Sequence, residues 1–340
     1  VKMLSAGRAT LYRASNSPGN RHATQKRSAS RLAIGSEGFD NAHLHPTASE
    51  PEPMTMTLRQ RLASGEFIVA PGVFDMISAL SADRMGFPAL YMTGYGTVAS
   101  YLGVPDAGLA SYRDLVGRVE TIARGTKTPL IADADTGFGG LLNVDHTVKG
   151  YERAGAAAIQ IEDQEFPKRC GHTPGRRVVP VDDMVRKIRV AVDARDSADF
   201  LIVARTDART DHGLDEAMRR GEAYAEAGAD ILFIESPESE EEMAKIGERF
   251  RGVPLLANIV EGGRTPVLPR DRLQALGYSI SIHPGSAFMA SAAACAGVYQ
   301  TLKKTGATIG SDTPMLPFAE MNDLVGFPAV WAFEQRHPEL

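Results

Sequence analysis

Eight short apolar runs recur along the chain from Thr57 onward, separated by amphipathic segments, and this alternation restricts the fold more than any other feature. The runs fall at 67–70, 89–93, 130–134, 157–161, 201–206, 231–234, 254–258 and 279–282. They are nearly continuous in apolar residues, the pattern of parallel strands buried on both faces. Helical periodicity fills the intervals, as at 181–195 and at 214–227, the latter closed by Gly228. Eight β/α units over roughly 230 residues predict an α/β fold, a (β/α)8 TIM barrel, within residues 54–306. No Gly-x-Gly-x-x-Gly follows the first run, which argues against a dinucleotide-binding sheet. Residues 307–340 are expected to form a helical segment packed on the barrel or on a neighbouring subunit.

The first 53 residues read differently, rich in Ser, Arg, Asn, His and Gly and ending in Glu50-Pro51-Glu52-Pro53. They are expected to be a disordered extension or a mis-assigned upstream start, since Met54 and Met56 precede the first helical pattern. The formal charge of -5 gives no basic field for nucleic acid or an anionic membrane, and no apolar run nears the ~20 residues that span a bilayer. Partners of both kinds are therefore not expected. Cys170 and Cys295 are the only cysteines, too few for a disulfide framework or a CxxC metal pair, so a reducing, cytoplasmic setting is expected. The Arg-rich, acid-free residues 1–36 leave organelle targeting as the alternative.

A barrel carries its chemistry at the carboxyl ends of its strands, and here the runs end in polar groups. In order these are Tyr91 to Tyr95, Asp133-Ala134-Asp135, Glu162-Asp163, Arg205-Thr206-Asp207, Glu235, Asn258 with Glu261 nearby, and His283. Asp133, Asp135 and Glu162 offer hard oxygen donors without His or Cys at ligand spacing, which favours Mg²⁺ or Mn²⁺ over Zn²⁺. Spacing of two along a strand turns Asp133 and Asp135 to one side, suiting one direct and one water-mediated carboxylate. Arg205 supplies a fork for a substrate carboxylate or for charge developing on oxygen. The alternative is that these carboxylates only pair with Arg205 and neighbouring bases. The turn at 137–140 would let backbone approach an anionic ligand. In Lys168-Arg169-Cys170-Gly171-His172 a thiol is bracketed by potentially cationic side chains, an arrangement for acid–base work, with His172 tuning Cys170 rather than ligating metal.

Four segments in order resemble the isocitrate lyase and phosphoenolpyruvate mutase superfamily: Asp133-Ala134-Asp135-Thr136-Gly137-Phe138-Gly139, Ile161-Glu162-Asp163-Gln164, Lys168 to His172, and Ala204-Arg205-Thr206-Asp207-Ala208. The resemblance implies a Mg²⁺-dependent TIM barrel with a mobile loop carrying Cys170, assembled as a homotetramer whose last barrel helix is exchanged between subunits. It implies that Asp135 ligates the metal directly, with Asp133 and Glu162 acting through water. Catalysis then falls to Cys170, Arg205, Tyr91, Glu235 and His172. Substrate binding falls to Thr93, Gly94, Tyr95, Asp106, Gly171, Asn258 and Glu261.

The Cys-Gly-His arrangement resembles that of the carbon–carbon lyases of the superfamily. It implies cleavage of a 2-hydroxy dicarboxylate to an α-keto acid and a carboxylic acid, with Cys170 as general acid. Met289 stands where methylisocitrate lyases typically carry an Arg, and 258–266 resembles 2,3-dimethylmalate lyase, the petal death protein and carboxyvinyl-carboxyphosphonate phosphorylmutase. The expected substrate is a small di- or tricarboxylate, in particular a 2-alkylmalate. Carboxyvinyl-carboxyphosphonate phosphorylmutase, methylisocitrate lyase and oxaloacetate hydrolase remain as alternatives. His283-Pro284-Gly285 departs from the usual Tyr-Pro-Leu or Tyr-Pro-Cys, placing His283 beside the pocket.

Overall fold

The computed structural model describes residues 56–338 apart from 172 and 174, so the expectations for 1–53 and for His172 lie outside the described residues. All eight apolar runs are strands: β1 (Ile68–Val73), β2 (Leu90–Met92), β3 (Leu130–Asp133), β4 (Ala158–Glu162), β5 (Leu201–Thr206), β6 (Ile231–Ile234), β7 (Leu256–Asn258) and β8 (Ile280–His283). They form one parallel sheet in the order β6-β5-β4-β3-β2-β1-β8-β7. A parallel bridge between Leu232 and Leu255 joins the two ends of this sheet, so the architecture is a (β/α)8 TIM barrel.

The strands are apolar on both faces because each face meets a different core. One set, including Ile68, Tyr91, Ile131, Ala158, Val203, Phe233, Leu256 and Ile282, fills the barrel interior. The alternate set, including Leu90, Met92, Ala132, Ile159, Ile202, Ala204 and Leu232, packs outward against helix residues such as Tyr151, Ile188 and Tyr224. Burying each such Ile or Leu contributes about 1.5–3 kcal/mol, so the two layers together hold the strands in register. Period two then fixes which terminal residues face inward: one step of two beyond Ile131 is Asp133, beyond Ala158 is Gln160, beyond Val203 is Arg205 and beyond Phe233 is Glu235.

The helical patterns at 181–195 and 214–227 are Val181–Ala194 and Leu214–Glu226, with Gly228 at φ 102° just past the second. Several helices start on side-chain caps, among them Asp75, Ser111 and Ser239, which satisfy otherwise unpaired amide groups. The last barrel helix, Ser286–Thr305, has 20 residues and none of them is buried. Helices Phe318–Leu324 and Phe327–Arg336 follow it and leave Phe318, Trp331 and Phe333 exposed. Among the described residues no helix is long and apolar enough to cross a membrane.

Candidate active site

Beyond the interior apolar layer lies a cavity of about 310 Å³ at the carboxyl ends of the strands. Tyr91, Asp133, Glu162, Arg205 and Asn258 reach it from strand ends, Thr93, Tyr95 and Asp106 from the segment after β2, and Cys170 and Gly171 from the segment after β4. Thr93 also caps helix Gly94–Leu102 through its hydroxyl, which accepts from Gly96 N at 3.3 Å. A Cβ at Gly94 would enter the Asp133 carboxylate, so glycine lets this helix start against β3.

Asp133 is held by a buried chain that the sequence reading missed. Tyr91 donates its phenol to Gln160 Oε1 at 2.8 Å, and Gln160 Nε2 lies 3.3 Å from Asp133 Oδ1. The signal was present: Gln160 is the one polar residue within the apolar stretch 157–161, two before Glu162 and hence on its face. Asp135 adopts φ 49°, a left-handed backbone uncommon outside glycine. That conformation lets its amide donate to Asp133 Oδ1 at 3.1 Å while its carbonyl accepts from Glu162 N at 2.9 Å.

Lys168 enters this cluster from the Cys170 segment. Its ammonium, 2% exposed, lies 2.5 Å from Asp106 Oδ1 and 2.7 Å from Asp135 Oδ1. Burial raises the Asp135 carboxyl to about 6 against the opposing pull of Lys168. It raises Asp133 against Lys168 too, and lifts Glu162 well above the usual range against Arg205. Glu162 Oε1 is buried without a hydrogen-bond partner. Among the described residues no three acidic, His or Cys groups converge tightly enough to ligate one ion directly. The donors at hand, Asp133, Asp135 and Glu162, are all hard oxygen groups, a chemistry that suits Mg²⁺ or Mn²⁺ better than Zn²⁺.

Arg205 occupies the centre of a second buried network. Its Nε and Nη2 grip Asp207 at 2.9 and 2.8 Å, its Nη1 lies 3.4 Å from Glu162 Oε2, and its guanidinium stacks over Phe233 at 5.1 Å. Glu235 Oε2 is 3.6 Å from Arg205 and accepts from Asn258 Nδ2 at 3.2 Å. The Ser236 hydroxyl donates to Glu235 at 2.9 Å and lies 3.2 Å from the Gly171 carbonyl, which ties the Cys170 segment to β6. A side chain at Gly171 would strike Arg205 and Glu235, so only glycine allows this approach. Gln164 clamps the same segment by accepting from Arg169 N at 2.9 Å and donating to its carbonyl at 2.8 Å. Cys170 is half-buried on the cavity wall.

Glu261, His283 and the glycine turn, expected at the site, stand off the cavity wall. Glu261 is exposed, accepts from the Ser286 hydroxyl at 2.6 Å and does not line the cavity. His283 has the parity of Ser281, whose hydroxyl is 3.2 Å from its ring, so Ile282 and Pro284 line the cavity in its place. The glycine turn at 137–140 caps helix Leu141–Arg153 and lies off the cavity wall. Glu235 and Asp135 stand behind Arg205 and Lys168 rather than on the wall itself. Past Asn258, toward β8 and the last barrel helix, the wall is apolar, formed by Val260, Ile282, Pro284, Phe288 and Met289. Phe288 is fixed there by edge-on contacts with Phe74 at 5.3 Å and Tyr95 at 5.6 Å.

Residues 58–303 match the phosphoenolpyruvate phosphomutase family. The chain is 49% identical over 280 residues to 2,3-dimethylmalate lyase of Eubacterium barkeri, covering 82% of this chain and 96% of that one. Among solved structures, an oxaloacetate acetylhydrolase in complex with 3,3-difluorooxalacetate superposes with a TM-score of 0.79 at 35% identity, over 83% of this chain and 96% of that one. A phosphonopyruvate hydrolase bound to oxalate and Mg²⁺ gives 0.75 at 33% identity, over 83% and 98%. With its motifs, its barrel and these relatives in agreement, the chain belongs to the phosphoenolpyruvate mutase/isocitrate lyase superfamily of enzymes.

Proposed function

We propose that this protein is a Mg²⁺-dependent carbon–carbon lyase that cleaves a 2-alkylmalate, such as 2,3-dimethylmalate, to an α-keto acid and a carboxylic acid. One observation carries the reading: Cys170 shares a cavity with Arg205 and the carboxylate cluster, while the wall of Val260, Ile282, Pro284, Phe288 and Met289 holds no cation for a third carboxylate. Alkyl groups suit that wall; a further charge does not. The near relationship to a dimethylmalate lyase supports the same choice.

Asp135, with Asp133 and Glu162 through water, would hold Mg²⁺ or Mn²⁺, whose charge when bound lowers the cost of negative charge on the substrate's 2-oxygen. Arg205 and Asn258 bind the substrate's carboxylate and oxygen groups, with Glu235 orienting both. Thr93, Gly94 and Tyr95 line up the α-keto acid end, Asp106 fixes Lys168, and Tyr91 keeps Gln160 and Asp133 in place. Once a general base of the site has taken the 2-hydroxyl proton, the C2–C3 electron pair leaves with C3 as C2 becomes a ketone. Cys170 delivers its proton to C3, and the docked Gly171 backbone keeps water from doing so first.

The assembly is read as a homotetramer with the last barrel helix exchanged, supported by helix Ser286–Thr305, none of whose residues is fully buried within its own subunit. A cytoplasmic location is supported by two cysteines without a disulfide between them. The function is tested by NMR analysis of products from 2,3-dimethylmalate, methylisocitrate, oxaloacetate and a carboxyphosphonate, each with Mg²⁺. Turnover of dimethylmalate well above the others is expected. Formation of a phosphorus–carbon bond, or cleavage of methylisocitrate alone, would overturn the assignment.

A further inference from the structure

Asp207 is shared by two guanidinium groups, and only one of them belongs to the strand ends. Its Oδ1 accepts from Arg205 Nη2 at 2.8 Å and from Arg176 Nη1 at 2.6 Å, with Arg176 and Asp207 both buried. Arg176 also donates to the Thr210 hydroxyl. It lies six residues after Cys170, on the arm by which the Cys170 segment returns to the barrel. That arm is zipped to the outgoing one: Gln164 and Val178 form an antiparallel bridge, Glu165 N donates to Arg177 O at 2.8 Å, and Val179 N donates to Asp163 O at 2.9 Å.

Arg176 therefore reaches Asp207 only with the arm in this position. Burial alone would push the Asp207 carboxyl upward, yet Arg205 and Arg176 beside it hold it below its ordinary value. The plane of Arg205 is fixed by a carboxylate that is itself fixed from the other side.

We infer that Arg176 is a positioning residue: through Asp207 it joins the docking of the Cys170 segment to the orientation of Arg205. The acid that protonates and the cation that binds are then set in place by one joint. Lysine could keep the charge but not the fork that spans Asp207 and Thr210.

The test compares wild type, Arg176→Met and Arg176→Lys in the full chain by two readouts. Alkylation by N-ethylmaleimide, followed peptide by peptide, should accelerate about tenfold or more at Cys170 in Arg176→Met, since thiol reactivity follows exposure. Cys295, on helix Ser286–Thr305, should keep its wild-type rate and so reports general loosening. Turnover of 2,3-dimethylmalate should lose about tenfold or more in kcat with a smaller change in KM, and Arg176→Lys should fall between the other two on both readouts. An unchanged Cys170 rate, equal acceleration at both cysteines, or wild-type kcat in Arg176→Met would overturn the inference. Should Arg176→Met fail to fold, Arg176→Lys decides by the same readouts, wild-type behaviour in it being the overturning result. The kinetic arm rests on the lyase reading. The alkylation arm does not, so wild type inactive on every substrate would sink that reading and leave this one to be decided at Cys170.

Discussion

Glu162 and Arg205 are register partners on neighbouring parallel strands, and Arg205 Nη1 lies 3.4 Å from Glu162 Oε2 within the interior of the barrel. The two do not depend on each other equally. Arg205 answers Asp207, Glu162 and Glu235, so Arg205→Met strands buried carboxylates and should cost about 3–5 kcal/mol in denaturant unfolding. Burial already favours the neutral form of Glu162, so Glu162→Gln should stay within about 1 kcal/mol of wild type. Comparable losses in the two variants would refute this asymmetry.

Metal binding should be visible without turnover. Mg²⁺ added to EDTA-treated protein is expected to raise Tm in a concentration-dependent way, because a ligand that binds only the folded state stabilises it by mass action. Asp135→Asn should abolish the rise, and Glu162→Gln should reduce it. EDTA should also abolish turnover, with Mg²⁺ or Mn²⁺ restoring it. Full activity in a verified metal-free preparation would dismiss the metal.

Adjacent acids should behave in opposite ways. Asp163 points outward, accepting from Thr206 and Tyr224 hydroxyls at 2.7 Å each, from Asp207 N at 2.9 Å and from Arg220 at 3.0 Å. Asp163→Ala leaves Arg220 without that buried partner and should cost about 3–5 kcal/mol of stability. KM should hardly move, since the side chain touches no part of the cavity. A large rise in KM without loss of stability would reverse the assignment.

The sequence alone could not separate that pair. The strands were legible because each is apolar on both faces, and the polar strand ends because parallel barrels gather chemistry there. Which end residue faces inward depends on parity along each strand: His283 shares that of Ser281 and faces away, whereas Ile280 and Ile282 face in. Gln160 was hidden inside an apolar run. The sequence shows Lys168 only as a neighbour of the thiol, because its carboxylate partners Asp106 and Asp135 are remote along the chain and come close only through the barrel. Glu261 follows a strand end closely, yet the chain has already turned outward to meet Ser286.

Substrate choice should respond to the apolar wall. Met289→Arg introduces a cation beside Phe288 and should lower kcat/KM for dimethylmalate by about tenfold or more while improving that for methylisocitrate relative to it. A preference ratio that does not change would place the discriminating contact elsewhere than on this wall.

Cys170 carries the decisive prediction. If its thiol protonates C3, Cys170→Ser should lose orders of magnitude in kcat because a hydroxyl is a far weaker acid. Mg²⁺-induced stabilisation should persist, since the carboxylate cluster is untouched. Rate alone does not identify the proton's destination, because a phosphonomutase could also need the thiol. Solvent isotope does. Wild type acting on dimethylmalate in D₂O should place one deuterium on the carbon released from C3, because the thiol exchanges with solvent before each turnover. Carboxylic acid product without carbon-bound deuterium would show that C3 receives its proton from within the substrate, and the role given to Cys170 would fall while the metal and Arg205 assignments stood.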